Sequence, residues 1–536
     1  MHESRGPDDQ SAGGMVQHSA KTAGRWRRYW PPIVIVALAG ATIAWVQSTE
    51  TIQIAATRFL TTASCLMLAA LLLALWFIFF TGLPALTRFT LLGLGLAFAV
   101  IFTLTVRVEG VSGDMQPKLT WRWSPKADER LAAALDSSAD RAAVDLAGGS
   151  PADFPQFLGK NRNAVVQNVR LARDWQANPP ELVWRQPIGS GWSAFAVVGD
   201  YAVTQEQRGG QELVVCYELL SGIPRWSHAD RGRYSSTIAG DGPRSTPTIF
   251  EGRVYAFGVE GRLSCLDGAS GEAIWTRDVL AENGAKNRQW GNSCSPLILD
   301  DLVVVSAGGS AGRSLVAYDR ITGEPAWTGG DDPASYSSPL LCTLGGVRQI
   351  LIVNANSLAS HDPAGGRLLW RFRWEGGEPK VPQPLPLEPD QVFIAAGYGV
   401  GCKLLSLQNQ QGDFRVSTAW ENRLLKPKFT NVVVRDGFVY GLDDGRSLVC
   451  LDLATGRRVW RGGRYGHGQL LLIDDLLLIQ TDSGEMVLAE ANPQQHVELG
   501  RFQAIEGKSW NTPALAGQYL LVRNAEEAAC YRLPLE

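Results

Sequence analysis

The sequence predicts an all-β fold, an eight-bladed β-propeller of four-stranded antiparallel blades, preceded by three transmembrane helices. Three observations predict it. A strand–turn–strand phrase ending in Trp recurs through the C-terminal two-thirds of the 536-residue chain. Its copies follow one another at about 40–50 residues, the period of a propeller blade. Ahead of them stand three long, uncharged, apolar runs.

The repeat is plainest in Ser447-Leu-Val-Cys-Leu-Asp-Leu-Ala-Thr-Gly-Arg-Arg-Val-Trp460. Four sister copies end at Trp226, Trp275, Trp327 and Trp370. In all five a Gly stands four residues before the Trp and an acid eight before it. The acid can accept hydrogen bonds from the backbone beyond it and so start a turn. The Gly supplies the positive φ of a bulged hairpin loop. The Trp ends a strand with a flat ring suited to wedging between neighbouring units, and its indole N–H then needs a partner. These five Trp are therefore docking residues, not ligands. Upstream of each turn lies a matching strand pair, such as Thr246-Pro-Thr-Ile-Phe and Arg253-Val-Tyr-Ala-Phe-Gly.

Trp184, Trp226, Trp275, Trp327, Trp370, Trp420 and Trp460 mark unit ends. The phrase before Trp420 is degraded, and the next unit ends near Phe502 without a Trp. Seven units thus lie between Trp184 and Phe502. The stretch 509–535 supplies three strands without a fourth, and Leu182-Val-Trp-Arg-Gln-Pro187 is a fourth without its three. Joining them closes an eighth blade and removes free edges. Seven blades is the alternative count.

Residues 1–24 are polar and expected to lack structure. A basic and aromatic edge follows, Arg25-Trp-Arg-Arg-Tyr-Trp30. The runs 31–49, 59–87 and 89–106 carry no charge, and each is long enough to cross about 30 Å of hydrocarbon as a helix. Two runs beyond the first argue for an anchor over a cleaved signal. Lys21, Arg25, Arg27 and Arg28 are expected to stay in the cytoplasm. Three crossings then put the C-terminal domain outside: a multi-pass inner (plasma) membrane protein with a periplasmic or extracytoplasmic propeller. With no ionisable residue expected inside a span, the membrane part reads as a plain anchor. The predicted organisation is a cytoplasmic basic tail (1–30), a membrane domain (31–106), a linker and lead-in (107–180) and the propeller (181–536).

The net charge of -3 and 19% charged residues give no pull toward nucleic acid. The eight Cys include no C-x-x-C and no adjacent pair, which argues against zinc and thioredoxin-like redox sites. Cys216, Cys265, Cys450 and Cys530 fall at one place in the repeat and read as small buried apolar residues. No strong strand pattern marks 109–180. Ala-rich 127–147 predicts one surface helix, and 153–163 reads as a lead-in packed on the domain it precedes.

Laid out this way, the chain resembles the quinoprotein-like, PQQ-binding-like β-propeller repeats, with the pattern Ala-x-Asp-x-x-Thr-Gly-x-x-x-Trp seen best at Thr322-Gly323 with Trp327 and Thr455-Gly456 with Trp460. The resemblance covers roughly 153–536 and implies the fold. Quinoprotein alcohol and sugar dehydrogenases of this kind bind pyrroloquinoline quinone and calcium on the axis, many stacking the quinone on a ring closed by adjacent cysteines. This chain has no adjacent cysteines, and its units are short. Propeller lipoproteins of the outer-membrane β-barrel assembly machinery use the same scaffold to hold protein partners. This chain departs from them in having three spans in place of a lipid anchor.

The innermost strand of each blade is expected to start at one mouth of the axial channel, at Thr246-Pro247, Ser295-Pro296, Ser338-Pro339, Thr512-Pro513, Gln383-Pro384 and Thr430-Asn431. Residues just before these starts should converge there: Trp192, Arg244, Trp290, Asn292, Tyr336, Lys380, Lys428, His467, Lys508 and Trp510. Such a ring could bind an anion, a carboxylate-bearing quinone or a glycan through charge and stacking. Catalysis would want an Asp base and a calcium site; Asn292, Asp241 and Asp331-Asp332 are the positions to test, none with a distinguishing spacing. His361 reads as structural. The expectation is a membrane-anchored extracytoplasmic module that binds a protein or small molecule, with no catalytic residue, metal or cofactor. The alternative is a PQQ- and calcium-dependent dehydrogenase that oxidises an alcohol or sugar and passes electrons to membrane quinone. A polysaccharide-binding module is a third reading.

Overall fold

The computed structural model describes residues 13–48, 55–112, 115–131, 144–376, 379–444 and 447–536. They form two compact units, Met1–Ser124 and Pro125–Glu536.

The first unit holds three helices, Gly13–Ser48, Ala55–Phe80 and Ala85–Thr105, then a hairpin of Val106–Val111 with Pro117–Trp121. Trp30–Ser48, Thr57–Phe80 and Ala85–Thr105 are long and apolar enough to cross a membrane. Two expectations are corrected here. The polar residues 13–24 continue the first helix instead of lacking structure. The third helix starts at Ala85 because Pro84 breaks the run, so Arg88 lies in its first turn, where it donates to the Ile78 carbonyl left open at the end of the second. The hairpin is a third difference, since its alternation is only a few residues deep per strand.

The second unit is the predicted propeller. Eight sheets follow one another, seven of them built on four successive antiparallel strands and the eighth closed by a strand from the N-terminal side. The first blade is Ala196–Val198, Tyr201–Arg208, Gln211–Glu218 and Pro224–Arg231; the seventh runs from Gln469 to Gln503. The eighth joins Ala514–Ala516, Tyr519–Arg523 and Glu527–Arg532 to Glu181–Pro187 from the N-terminal side. Middle strands are sandwiched between neighbouring blades and read as unbroken apolar runs, as in fully buried Leu476–Gln480. Outermost strands face water on one side and alternate, as in Ala273–Asp278.

The Trp motif acts between blades. The Trp184 indole N–H donates to the Leu219 carbonyl of the next blade at 2.8 Å, Trp226 to Gly268 at 2.9 Å, and Trp275 to Arg320 at 3.1 Å. Trp327 donates to Pro363, Trp420 to Leu453 and Trp460 to Asn492 in the same way. The motif Gly lies under the preceding blade's ring. A Cβ on Gly323 would stand 2.6 Å from Trp275, and one on Gly366 2.3 Å from Trp327. The acid caps the turn: Asp319 Oδ1 accepts from the Ile321 and Thr322 N–H groups at 2.9 and 2.7 Å. The repeat Cys face the Trp across the strand pair, Cys216 opposite Trp226 and Cys450 opposite Trp460, and stay free thiols.

Two places depart from this rule, each for a visible reason. Trp370 donates to Gln349 of its own blade, because the next blade's outer strands Gly401–Gln410 and Asp413–Asn422 are joined by a long hairpin without the motif. In the seventh blade the Trp position is Gly500, opposite Leu488. The eighth blade's outer strands come from opposite ends of the propeller chain, so no connecting turn exists for a Trp to dock on. Trp175 of the lead-in covers Gly500 instead, with its ring 5.6 Å from Phe502.

The lead-in packs against the innermost strands. Phe154 and Val197 exchange backbone hydrogen bonds, Ile249 N–H donates to Pro155, and Val165–Val166 pairs in parallel with Leu472 and Ile473. Buried Arg162 donates to the Ser295 and Pro296 carbonyls, both at 2.9 Å, and burial lowers it to about 10. Most of the helix expected over 127–147 lies outside the described residues; Ala127–Arg130 is one 3-10 turn.

At the seam of the first two blades, the Glu212 carboxyl accepts the Val259 N–H at 3.0 Å, beside Asp230 and Glu260 and within reach of Arg244. Desolvation, helped by the two acids, raises it from its ordinary 4.5 to about 7.

Two outcomes follow. Gly323→Ala, with φ at +75° and the Trp275 ring above it, should cost about 3 kcal/mol in denaturant unfolding, from left-handed strain plus overpacking. Gly437→Ala, at φ +80° in open space, should cost only about 1 kcal/mol; equal costs would refute the docking role. The protonated Glu212 carboxyl suits the fold, so its contribution is complete below about pH 4.5 and lost as pH rises through about 7. Glu212→Gln should therefore melt with the parent near pH 4.5 and above it at pH 8; identical melts at both would show a carboxyl that titrates normally.

Candidate functional site

The mouth is organised by the residue that precedes each innermost strand. Pro after it removes one donor, and its own N–H lies outside the ladder. The next blade's equivalent side chain accepts that N–H. Ala194 N–H donates to Thr246 Oγ1 at 3.2 Å, Thr246 to Ser295 Oγ and Ser295 to Ser338 Oγ, both at 2.9 Å. Ser338 continues to Gln383 Oε1 and Gln383 to Asn431 Oδ1. Gln469 bridges Phe429 and Trp510 carbonyls, and Asn511 donates to Ser193, completing the circuit. These small polar residues circle the axis below the mouth.

Above them the predicted residues fall into groups. One is a continuous aromatic row: Trp192 to Trp510 at 5.2 Å between ring centres, Trp510 to Phe429 at 4.6 Å, and Phe429 to His467 at 5.8 Å. Lys508 Nζ lies 4.8 Å from the Trp192 ring and 4.1 Å from the Trp510 ring. Lys428 Nζ lies over Tyr398 and Phe429 and pairs with Asp444 at 3.4 Å, both charges buried. Among the described residues, the indole N–H groups of Trp192 and Trp510 are shielded from water and have no hydrogen-bond partner.

A second group joins Trp290 and Tyr336 at 5.6 Å, with the Arg288 guanidinium over Tyr336. Arg244 lies 4.6 Å over Tyr234 and donates to the carbonyls of Gly242, Ala239 and Gly240; burial lowers it to about 10. Lys380 stands apart, buried, with Nζ on the Ala355 and Gly376 carbonyls and over Trp374. Asn292 is buried between two loops, donating to the Gly258 carbonyl of one and accepting the Cys294 N–H of its own. His361 is buried against the Gly366 carbonyl, and its pKa is lowered by that burial. Sequence reasoning missed Phe429, Tyr398, Tyr234, Arg288 and Asp444. Phe429 directly precedes Thr430 and was findable by position; the others come from loops whose approach depends on blade geometry.

The oxygen donors considered for calcium do not converge. Asp241 pairs with Lys126 at 2.5 Å, Asp332 with Arg371 at 3.0 Å, and Asp331 accepts the Gly312 N–H. Asn292 is engaged as above. Among the described residues no group of three or more His, Cys, Asp or Glu is placed to hold a metal ion. The donor set as it stands does not fit a calcium-bound quinone.

A family model described as "Outer membrane protein assembly factor BamB" matches residues 211–461 and 354–492, together more than half of the chain. A curated relative, quinohemoprotein alcohol dehydrogenase ADH-IIG of Pseudomonas putida, is 23% identical over 205 residues, 37% of this chain; the match spans only 28% of that protein's length. Among solved structures, the quinohemoprotein alcohol dehydrogenase of Comamonas testosteroni is similar at a TM-score of 0.53 and 14% identity, over 72% of this chain and 81% of that one. BamB from Moraxella catarrhalis aligns at a TM-score of 0.48 and 16% identity, over 66% of this chain and 100% of that one. At such identities the likeness of structures bears on fold alone. With the blade motif, the ring closure and the family match in agreement, the chain belongs to the BamB-type PQQ-like repeat propeller family.

Proposed function

We propose that this propeller is a membrane-anchored binding module that offers its strand-start mouth to a protein partner and catalyses no reaction of its own. One observation carries the reading. Arg244, Lys380 and Lys428, the cations suited to gripping a small anion, are already held by the protein's own carbonyls and Asp444. What the mouth offers is the row of partly exposed rings at Trp192, Phe429 and Trp510, the chemistry of a protein-binding hot spot. The family's description as an outer membrane protein assembly factor supports the same reading.

The second reading, a PQQ- and calcium-dependent dehydrogenase of alcohols or sugars feeding membrane quinone, draws on the similarity to the Pseudomonas putida enzyme. The engaged donors described above weigh against it. Purified protein mixed with pyrroloquinoline quinone and calcium should show neither stoichiometric binding in a titration nor dye-linked oxidation of alcohols and sugars. Saturable binding with turnover would overturn the proposal in favour of the enzyme.

We further infer that the three apolar helices cross the inner membrane with the basic N-terminal edge in the cytoplasm, leaving the propeller in the periplasm. Alkaline phosphatase fused at the C-terminus should be active in cells; an inactive fusion, with a cytoplasmic reporter active at the same position, would reverse the orientation.

A further inference from the structure

The hairpin after the third helix has two unlike faces. Cross-strand pairing sets Val106 opposite Trp121 and Val108 opposite Leu119, four apolar side chains on one side. Arg107 opposite Thr120 belongs to the other face, where Arg107 bonds the Ser124 carbonyl at 2.7 Å. Lys118 pairs with Glu109 at 3.5 Å. Trp123 stacks on Trp121, ring centres 5.1 Å apart and planes within 9°. The apolar face is open: Trp121 is 53% exposed and Trp123 67%, with Val108 and Leu119 exposed beside them. A two-stranded hairpin is marginal in water by itself, and an open apolar face of this kind marks an interaction surface.

The depth of this face is set by Arg122. Its backbone N–H donates to the Thr105 carbonyl at 2.8 Å, and its Nε to the Thr103 carbonyl at 2.9 Å. Trp121 and Trp123 flank that residue. They are therefore held level with the last turn of Ala85–Thr105. That 21-residue helix is about the length of the hydrocarbon core, so its end reaches the polar edge of the bilayer. Indole rings favour that level, with an apolar body toward the acyl chains and an N–H toward water. The exposed helix residues Ile101 and Leu104 continue the same apolar character up to the hairpin.

We propose that the hairpin is an interfacial wedge whose Val108, Leu119, Trp121 and Trp123 face lies in the lipid headgroup region. The occupant of this face is lipid, because the face continues a lipid-facing helix at the level where that helix leaves the hydrocarbon. The wedge fixes the depth of the third helix and resists its sliding along the membrane normal. The inference rests on reading Ala85–Thr105 as a membrane span.

The test uses full-length protein in phosphatidylcholine–phosphatidylglycerol vesicles, with Cys65 and Cys342, the two cysteines that are not buried, replaced by serine. A nitroxide is placed in turn at Leu94→Cys in the helix, Leu119→Cys on the apolar face and Lys118→Cys beside it. Power saturation against oxygen and a water-soluble nickel chelate then reports depth. Position 94 should read deep in hydrocarbon, and the oxygen-to-nickel ratio at 119 should exceed that at 118 by roughly threefold or more. A deep 94 with equal, water-like readings at 119 and 118 overturns the wedge and leaves the span intact. A 119 label shielded from both reagents overturns it too, since protein would then cover the face. A water-like 94 overturns the span reading, and the wedge with it.

Discussion

The propeller depends on the contact of one Trp ring with the next blade's turn. A four-stranded blade is too thin to bury its own faces, so its stability comes from its neighbours. The docked indole supplies a large apolar contact and one hydrogen bond to a carbonyl, worth about 1 kcal/mol net. The motif Gly is the other half of the same device. Gly323 and Gly366 are required both by a left-handed turn and by the ring lying on them. Within the axis, the Thr246–Ser295–Ser338–Gln383–Asn431 chain of hydrogen bonds makes a second, inner seam. Most blades are thus tied near the axis by polar groups and farther out by an aromatic one.

Most of this ring was legible in the sequence because the same physical demand recurs in each blade. The Asp, Gly and Trp spacing showed the docking turns, and the unpaired strands at the two ends of the domain showed the closure. What could not be read were the exceptions and the non-repeating parts. Nothing in the linear order joins Trp175 to Gly500, which meet only because the lead-in crosses the ring. Gln349 serves Trp370 for a reason that lies one blade away. The hairpin at Val106–Val111 was passed over because strands of five or six residues beside a long apolar helix give little alternation to count.

The mouth shows the same limit more sharply. Strand starts locate residues in sequence, and the structure does bring Trp192, Trp510 and His467 into one row through Phe429. A position in the repeat does not say what a side chain has already been given to hold. Lys380 and Arg244 stand at mouth positions, and their charges are spent on backbone carbonyls of adjacent loops. Asn292 is likewise occupied, by the Gly258 carbonyl of a neighbouring loop and by its own turn. The same scaffold can therefore present a hungry cationic site or a settled aromatic surface, depending on which loop carbonyls lie within reach.

The eighth blade carries a consequence for how the protein is made. Glu181–Pro187 is synthesised early, and its partner Glu527–Arg532 comes some 340 residues later. At ordinary translation speeds the first strand waits for tens of seconds with its hydrogen-bonding edge bare. Through that interval the nascent chain is an open arc whose two ends can each accept a foreign strand. The last strand decides whether the ring seals upon itself: a chain ending in the seventh blade would leave Glu181–Pro187 without the strand it pairs with.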